Sequence, residues 1–453
     1  MERILLLENS GWSEGQRTAG PSDNMWTPTP PGSLPATPTA SPKTAQNALP
    51  IGDETSAKES RKAKARAAKR DRRRRKRHEE KQDADLTAQA HRESQSTKYP
   101  SGKRIRTNRF TIQQLPATSN VWTGKNLPAG DATKTLEELM REGYRIVEWD
   151  GERPLLLEDA QGRIFVALAG RPVNDPTWKE DVQDRTDALF AEAEATVRTT
   201  TCKNCEGPLW AERCSKCRNR RGDFKVINIG TSFGGGQTEP GILVNDRPMA
   251  RAASNIIQSP CMKRLVGFIN SAFSWFAPKL YRVYAANNEK ILSHHPHLQP
   301  LFANSVFPTA TLNLGPQVVT LEHTDSGNLP FGWCAIFATG RFDPKRGGHL
   351  ILRDLKLLIE FPPGSVIFLP SGTLMHGNTA VQPHETRRSF TQYAPGGLFR
   401  WVYYGYRTEG QMSAIDPERT AHSYASSSTR RVDALGLFST SWSLHKDRCT
   451  PAP

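Results

Sequence analysis

Short apolar runs separated by turn residues fill the C-terminal half of the chain, and this pattern constrains the fold most. Seven such runs lie between residues 317 and 405. Apolar runs that end at Gly, Pro or Asn are typical of the strands in β-barrels and β-sandwiches. Apolar residues at helical spacing also occur over residues 253–291, where Pro260 and Pro278 interrupt them. We therefore predict a mostly β domain over residues 223–410, with flanking helices against its sheet.

The two ends of the chain have a different composition. A chain of 453 residues would allow about three domains if every part of it folded. However, residues 1–130 are rich in Pro, Ser, Thr, Ala and charged side chains, and they have few of the β-branched or aromatic runs that build a core. Residues 411–453 are rich in Ser and Thr. We predict a long disordered N-terminal region and a disordered C-terminal tail.

A dense basic run lies inside the N-terminal region. Residues 61–77 contain twelve Lys/Arg and one acidic residue, Asp71, and supply most of the formal net charge of +15. Such a run is typical of a nuclear-import signal, of a nonspecific nucleic-acid arm, or of a solvated helix without a partner. Clustered like charges repel each other unless a polyanion neutralises them. The run favours a nuclear protein, with the import machinery and DNA as partners.

The sequence has no pattern that predicts secretion or membrane insertion. Near the N-terminus only Ile4–Leu7 are consecutive apolar residues, whereas a secretory signal needs about 7–15 of them. No later segment approaches the ~18 apolar residues of a membrane span. We expect a soluble intracellular protein. In a reducing compartment, its seven Cys favour metal binding or isolated thiols over disulfides.

A small α+β unit is predicted over residues 131–200. The segment that begins at Thr135 has the spacing of an amphipathic helix, and a short strand follows it. Two apolar runs on either side of a turn at Gly162 predict two more strands. Apolar residues at roughly helical spacing predict a second helix over residues 177–198.

Four cysteines follow this unit in two C-x2-C pairs. Cys202 and Cys205 form the first pair, and Cys214 and Cys217 form the second, with eight residues between the pairs. Two such pairs can present four thiolates to one tetrahedral ion, as structural zinc requires. The spacer is shorter than the common one of about 15–20 residues. The pattern predicts a compact four-cysteine zinc knuckle over residues 201–222, and the alternative is a redox pair or plain buried Cys.

The first candidate metal ligands are His323 and Asp325. They lie two residues apart at the end of a predicted strand, so their side chains point to the same face. An imidazole and a carboxylate placed in this way can contact one cation. In a chain with eleven His, a His-x-Asp pair also arises easily by chance. The pair therefore needs a third ligand from elsewhere in the chain.

His376 is the candidate third ligand. A Pro-Gly turn leads into an apolar strand and then a loop before this residue. Two His and one carboxylate on one side of an ion leave three coordination positions open, which is the facial triad of non-haem iron oxygenases. We predict that His323, Asp325 and His376 bind iron(II) and form the catalytic centre.

Arg387 is the candidate anion anchor. It follows His376 by eleven positions, and Ser389 lies two residues later on the same face of the predicted strand. A guanidinium beside a hydroxyl suits a carboxylate that is bound through two hydrogen bonds. Arg388 has the opposite parity and should point elsewhere. The alternative for either Arg is a solvated strand residue.

Five motifs follow one another through this region: HTD at 323–325, FDPKRGGHLIL at 342–352, FPPGSVIFLPS at 361–371, the single His376, and ETRRSF at 385–390. Their order resembles the double-stranded β-helix, or jelly-roll, of the 2-oxoglutarate- and iron(II)-dependent dioxygenases. Together with GTSFGGGQTEPG at 230–241 and QYAPGGLFRWV at 392–402, they resemble more narrowly the fungal branch of TET/JBP-like oxygenases, which modify nucleic-acid bases.

The resemblance implies a cosubstrate and a reaction. 2-Oxoglutarate would chelate the iron through its keto acid end, and Arg387 would bind its far carboxylate beside Ser389. Asn313 could donate a hydrogen bond to 2-oxoglutarate, or could simply form a turn. The reaction would oxidise a methyl group, typically that of 5-methylcytosine in DNA. A base in a duplex must leave the stack to be modified in this way.

Two other functions stay open. The same fold could hydroxylate a protein side chain, as prolyl hydroxylases do, although these usually have Lys at the position of Arg387. A catalytically silent module that binds chromatin is the other alternative, and the presence of all three metal ligands argues against it. Residues 223–410 contain 17 Lys/Arg and 11 Asp/Glu. This modest basic excess fits a polyanionic substrate.

Overall fold

The computed structural model describes residues 103–130, 132–198, 221–222 and 224–449. Within these ranges the chain forms thirteen β-strands, arranged in two sheets, and ten α-helices. The basic run at 61–77 lies outside the described residues, and so do all four cysteines of the predicted zinc knuckle, Cys202, Cys205, Cys214 and Cys217.

The strands, in chain order, are β1 (Lys103–Arg106), β2 (Arg145–Val147), β3 (Leu155–Glu158), β4 (Ile164–Gly170), β5 (Lys225–Ser232), β6 (Gly241–Ile242), β7 (Thr309–Gly315), β8 (Cys334–Arg341), β9 (Leu350–Leu352), β10 (Leu357–Ile359), β11 (Val366–Leu369), β12 (His376–Asn378) and β13 (Thr386–Tyr393). The α-helices are α1 (Leu136–Arg141), α2 (Arg185–Arg198), α3 (Arg247–Gln258), α4 (Pro260–Phe276), α5 (Pro278–His294), α6 (Gly396–Tyr403), α7 (Glu409–Ile415), α8 (Pro417–Ala425), α9 (Ser427–Gly436) and α10 (Leu444–Cys449).

The larger sheet has nine strands in the order β1-β3-β4-β11-β8-β13-β7-β5-β6, and the smaller one has the order β12-β9-β10-β2. The pairs β1–β3 and β2–β10 are parallel, and the other strand pairs are antiparallel. Strands β2, β3 and β4 come from the segment predicted as a separate α+β unit. Strand β2 pairs with β10 and β4 pairs with β11, both in the C-terminal half, while β3 lies between β1 and β4. This segment therefore contributes strands to both sheets.

The fold is mixed α/β, and the expectation of a mostly β domain is corrected. Helices contain more of the described residues than strands do. Pro260 and Pro278 do not interrupt a helix but occupy the first positions of α4 and α5, where the missing proline N–H costs nothing. The described part of the chain contains no helix that is both long and apolar enough to cross a membrane. The jelly-roll arrangement itself stays a prediction.

The C-terminal tail was also predicted wrongly, because residues 409–449 form four short helices. Thr408 and Gln411 make a capping box at the start of α7, and the Asp416 side chain accepts a hydrogen bond from the Arg419 N–H at the start of α8. These helices bury few side chains, among them Met412 and Leu435. A segment with so few apolar residues has the composition of a disordered tail. Capping residues are a much weaker sequence signal for a helix than a periodic set of apolar core residues.

Strand β13 positions the site because it lies between β8 and β7 in the larger sheet. Its side chains alternate between two environments. Four of them face a cavity: Arg387, Ser389, Thr391 and Tyr393. Arg388 has the opposite parity, and its guanidinium contacts Asp187 at 2.8 Å and Glu194 at 3.4 Å, both on α2. The two neighbouring arginines therefore point to opposite faces, as strand alternation predicts.

Candidate metal-binding cavity

Three side chains that could ligate a metal ion meet where β12 begins. The backbones of His323 and His376 exchange hydrogen bonds of 2.8 and 2.9 Å, and the centres of the two rings are 4.5 Å apart. Asp325 follows two residues after His323, and its N–H donates to the Ser371 carbonyl at 2.8 Å. One potential ligand atom from each of the three residues lies within 4.8 Å of the others. The structure thus brings together the three residues that the sequence singled out.

Hydrogen bonds to the backbone orient both imidazole rings. Nδ1 of His323 lies 2.7 Å from the carbonyl oxygen of Leu321, and Nδ1 of His376 lies 2.9 Å from that of Leu374. Because a carbonyl only accepts, each Nδ1 carries the proton and each Nε2 keeps a lone pair. The two Nε2 atoms are 3.5 and 3.9 Å from the carboxylate of Asp325. Both lone pairs are therefore available beside an anionic oxygen, as a metal ion requires.

The protonation of the site also suits a divalent cation. Burial alone would raise the pKa of Asp325, but Arg221 and the two imidazoles outweigh burial and hold this pKa well below its usual range. Burial, and then the neighbouring His323, lower the pKa of His376 to about 4. Metal ligands must be deprotonated. Asp325 and His376 meet this condition at neutral pH, and the set of two imidazoles and one carboxylate fits iron(II).

The triad opens into a cavity of about 60 Å³. Besides the triad, the residues lining it include Arg221, Thr311, Asn313, Thr320, Asn328, Ile336, Phe361, Asn378, Arg387, Ser389, Thr391 and Tyr393. Polar side chains converge on one space next to the candidate metal position. This combination is typical of a small-molecule site.

Arg387 lies deep in this cavity. It is 3% exposed, and none of the carboxylates in the described ranges forms an ion pair with it. Its Nη1 donates to the Val318 carbonyl at 3.2 Å, while Nε has no hydrogen-bond partner among the residues that the structure describes. The rings of Phe342 and Phe361 lie about 6 Å from the guanidinium. Burial lowers the pKa of Arg387 to about 10, which leaves it charged at neutral pH.

Asn313 and Ser389 lie beside Arg387 on neighbouring strands. They are register partners across β7 and β13, and the Asn313 amide donates to the Ser389 hydroxyl at 3.0 Å. Both are buried, so Asn313 is a strand residue and not the turn residue that was its alternative. Further along the same face, Thr391 and Tyr393 continue the polar lining toward the partly exposed end of the cavity. Strand alternation from Arg387 could have identified both.

Arg221 was not singled out from the sequence. Its Nη2 lies 2.6 Å from Oδ1 of Asp325, and its carbonyl accepts from the Leu321 N–H at 2.7 Å. The side chain is 29% exposed and so lies at the mouth of the cavity. In the sequence Arg221 ends a stretch of several basic residues, and nothing local distinguishes it from its neighbours. Only the fold brings it to a metal ligand.

An N-terminal strap, residues 117–130, covers the loop that carries His323 and Asp325. Gly124 donates its N–H to the Ser326 carbonyl and Gly130 donates to the Glu322 carbonyl, both at 2.8 Å. The strap belongs to the region predicted as disordered, and that prediction is wrong for it. Its order comes from backbone pairing with a distant loop, which composition does not reveal.

The strap fits closely at both of its faces. A Cβ at Gly124 would lie 1.9 Å from the carbonyl oxygen of Gly372, next to the residue that binds the Asp325 N–H. On the other side, α9 holds the strap through Arg430, which donates to the Asn120 carbonyl at 2.9 Å and lies 4.6 Å from the Trp122 ring centre. The strap and α9 therefore help to fix the position of the candidate ligands.

Comparisons with known proteins give little beyond this geometry. No protein-family model matches the chain, and no curated protein matches it either. Among solved structures, NgTET1 in complex with 5mC DNA is similar over 56% of this chain and 83% of that chain, with 12% sequence identity and a TM-score of 0.37. Values this low carry no conclusion about activity.

Proposed function

We propose that this protein is a 2-oxoglutarate- and iron(II)-dependent dioxygenase that oxidises the methyl group of 5-methylcytosine, or of a related base, in DNA. In the overall reaction 2-oxoglutarate and oxygen would be consumed, succinate and carbon dioxide would form, and the methyl group would gain oxygen. Iron(II) held by His323, Asp325 and His376 would supply the oxidising chemistry. The nuclear location suggested by residues 61–77 belongs to the same proposal.

One observation carries the cosubstrate: the buried, charged Arg387 shares a cavity with the metal triad and pairs with no carboxylate of the described residues. Burying an isolated cation costs several kcal/mol, and a ligand carboxylate would offset this cost. 2-Oxoglutarate has carboxylates at both ends, so one can reach Arg387 while the other lies at the metal. Ser389 and Asn313 would add hydrogen bonds at the arginine end.

The other cavity residues would bind and orient the base. Thr311, Thr391 and Tyr393 lie on the sheet side of the cavity, and Asn328 lines it close to the triad. The Tyr393 ring is large enough to stack on a flipped base. Burial raises the pKa of Tyr393, so its hydroxyl stays protonated and can donate a hydrogen bond. The DNA substrate rests on the resemblance of the sequence motifs and on the basic balance of residues 223–410.

The test is turnover by the full-length chain, because the strap and α9 both lie outside residues 223–410 and a truncated domain could lose the site. The protein is incubated with iron(II), ascorbate, 2-oxoglutarate and duplex DNA that contains 5-methylcytosine, and mass spectrometry detects oxidised bases and succinate. His323→Ala is the inactive control, and Arg341→Ala, at an exposed position on β8, is the matched control that should keep activity.

The outcomes separate the candidate functions. Oxidised cytosine that requires 2-oxoglutarate and disappears in His323→Ala supports the proposal. Succinate formation with hydroxylated peptides but not with DNA would show a protein hydroxylase. If calorimetry detects no binding of Mn²⁺, used as an inert substitute for iron(II), the triad is not a metal site and the protein is a binding module.

A further inference from the structure

Trp442 is exposed to an unusual degree. Its side chain is 90% accessible, whereas the six other tryptophans in the described ranges are 1–8% exposed. It lies in the turn between α9 and α10. A large aromatic ring that no core uses is typical of a binding surface, because it offers apolar area and a stacking face at a low entropy cost.

The turn that carries Trp442 is held in place. Thr440 and Ser443 each donate a backbone N–H to the other's hydroxyl, at 2.9 and 3.1 Å. The Ile164 N–H donates to the Ser439 carbonyl at 2.9 Å, which fastens the turn to β4. The ring is therefore presented from a fixed backbone, and binding would not have to order a flexible segment.

A basic edge strand lies next to this turn. The hydroxyl of Ser441 donates to Glu158 of β3, and Arg104 of β1 lies 3.8 Å from the same carboxylate. Strand β1 is the edge of the larger sheet, with the sequence KRIR, and Lys103, Arg104 and Arg106 are exposed. Arg104 and Arg106 have the same parity and so share one face of β1. This face and the turn that carries the indole ring belong to one continuous region.

Two acidic residues of this region are buried, and a third, Asp447, accepts a hydrogen bond from Ser443 and pairs with Lys279. Glu158 is 5% exposed and Asp159 is fully buried. Arg163 pairs with Asp159 at 3.5 Å and forms a β-bridge with Thr440. We define the basic edge surface as Arg104, Arg106, Arg163 and Trp442.

We propose that the basic edge surface binds a single-stranded segment of nucleic acid, with its phosphates on the cations and one base stacked on Trp442. Cations attract phosphates of any sequence, and an aromatic ring needs an unpaired base to stack on. The twelve Lys/Arg of residues 61–77 precede Lys103 by about 25 residues, which favours a polyanion over a protein partner.

This surface is separate from the cavity. Four strand spacings of about 4.8 Å, roughly 19 Å, lie between β1 and β8, whose Ile336 lines the cavity. The basic edge surface would bind a nucleic-acid strand at a distance from the base that reacts in the cavity. Because binding here needs neither metal nor turnover, its test is independent of the proposed oxidation.

The experiment measures fluorescence anisotropy of a labelled single strand of about 20 nucleotides with metal-free, full-length protein. A second strand carries 2-aminopurine, whose emission reports stacking. Trp442→Ala should weaken single-strand binding about tenfold and abolish the 2-aminopurine quenching. Trp442→Phe should keep part of both signals. Ile415→Ala, at another exposed apolar side chain, is the matched control, and the basic run contributes equally to every variant.

Three results would overturn the proposal. Unchanged affinity in both Trp442→Ala and the double variant Arg104→Gln/Arg106→Gln would remove the surface from nucleic-acid binding. Equal losses for single strands and duplexes in Trp442→Ala would exclude stacking. A shift of Trp442→Ala to a smaller size in solution, with unchanged affinity for oligonucleotides, would assign the surface to self-association. Melting curves confirm that each variant is folded.

Discussion

Arg387 and Arg388 are neighbours in β13 and are both buried, but they lie in opposite electrostatic environments. On the helix side, Arg388 contacts the carboxylates of Asp187 and Glu194 and donates to the Leu314 carbonyl at 2.8 Å. On the cavity side, Arg387 has one carbonyl partner and two aromatic rings, and no carboxylate in the described ranges pairs with it.

This difference distinguishes a structural cation from a ligand-binding one. A buried ion cluster that is complete within the protein serves the fold, and removal of one member is costly because the others stay buried without it. A buried cation that lacks a counter-charge weakens the fold until a ligand supplies one. The same residue type on one strand therefore serves stability on one face and ligand binding on the other.

The largest expected effect is on stability, at Arg388. Replacing it by Met would leave Asp187 and Glu194 without this cation, and we expect a loss of about 3–5 kcal/mol in the free energy of unfolding. Urea unfolding of the metal-free protein measures the loss. A triple variant that also carries Asp187→Asn and Glu194→Gln should recover much of it. A loss below about 1 kcal/mol in Arg388→Met would mean that the cluster is not structural, and the comparison would fail.

The next effect is on ligand binding, at Arg387. Arg387→Met should raise the 2-oxoglutarate requirement about 100-fold, since charge-assisted hydrogen bonds contribute about 1.5–3 kcal/mol. In the absence of ligand its stability should stay unchanged or increase, because an uncompensated buried charge is lost. Melting temperatures with and without 2-oxoglutarate, in the presence of Mn²⁺, separate the two quantities. Arg341→Met provides the matched control at an exposed arginine.

The contrary result for Arg387 is equally clear. If Arg387→Met lowers the unfolding free energy as much as Arg388→Met does, while 2-oxoglutarate still raises the melting temperature, then both arginines are structural. The cosubstrate would then bind elsewhere in the cavity. Arg387→Lys should restore the charge but not the two parallel hydrogen bonds, so we expect an intermediate requirement for 2-oxoglutarate.

Protonation of His349 at acid pH would place a third positive charge inside the protein. Its cost can be compared with that of the buried cations Arg387 and Arg388. His349 is fully buried, its Nδ1 lies 3.2 Å from the Thr379 hydroxyl, and its Nε2 has no hydrogen-bond partner. Burial lowers its pKa to about 4, below the value of about 6.5 in an unfolded chain. Its contribution to stability is therefore complete above pH 6.5 and is lost as the pH falls toward 4, by up to about 3 kcal/mol.

The measurement is the free energy of unfolding between pH 7 and 4 in the wild type and in His349→Asn. The Asn side chain keeps a polar group near Thr379 but does not titrate in this range. The free energy of unfolding of His349→Asn should fall less steeply with decreasing pH than that of the wild type. Because His376 shifts in the same direction in both proteins, the difference between the curves isolates His349. Parallel curves would show that His349 takes up its proton over the same pH range in the folded and in the unfolded chain.

The sequence predicted the residues of β13 and the triad better than it predicted their surroundings. Arg387 and Arg388 lie in β13, where a period of two assigns each side chain to a face from local sequence alone. The strand predicted to end at His323 is not present, because His323 forms only an isolated bridge with His376, yet the side chains of His323 and Asp325 still lie together. His376 needed only the order of turn, strand and loop before it. Alternation continued from Arg387 would also have reached Tyr393.

What the sequence did not predict depends on contacts between distant segments. Arg221 reaches Asp325, the strap pairs with the loop at residues 322–326, and α9 holds the strap through Arg430. None of these contacts leaves a period or a run of apolar residues. The sequence therefore predicted disorder for two ordered segments. These are the capped, mostly polar helices at 409–449 and the strap, whose backbone pairs with a loop outside any sheet.

The smallest expected effect tests where on the cavity face of β13 the anion binds. Ser389→Ala removes the hydroxyl that accepts from Asn313, and we expect a rise of about fivefold to tenfold in the 2-oxoglutarate requirement, from the loss of about 1 kcal/mol per neutral hydrogen bond. Thr391→Val, two residues further along the same face, is nearly isosteric and should leave this requirement unchanged while it affects the base. Steady-state kinetics with varied 2-oxoglutarate, and then with varied DNA, distinguish the two. A larger effect of Thr391→Val on 2-oxoglutarate would place the carboxylate at the Tyr393 end of the cavity, and Arg387 would then lose its assigned role.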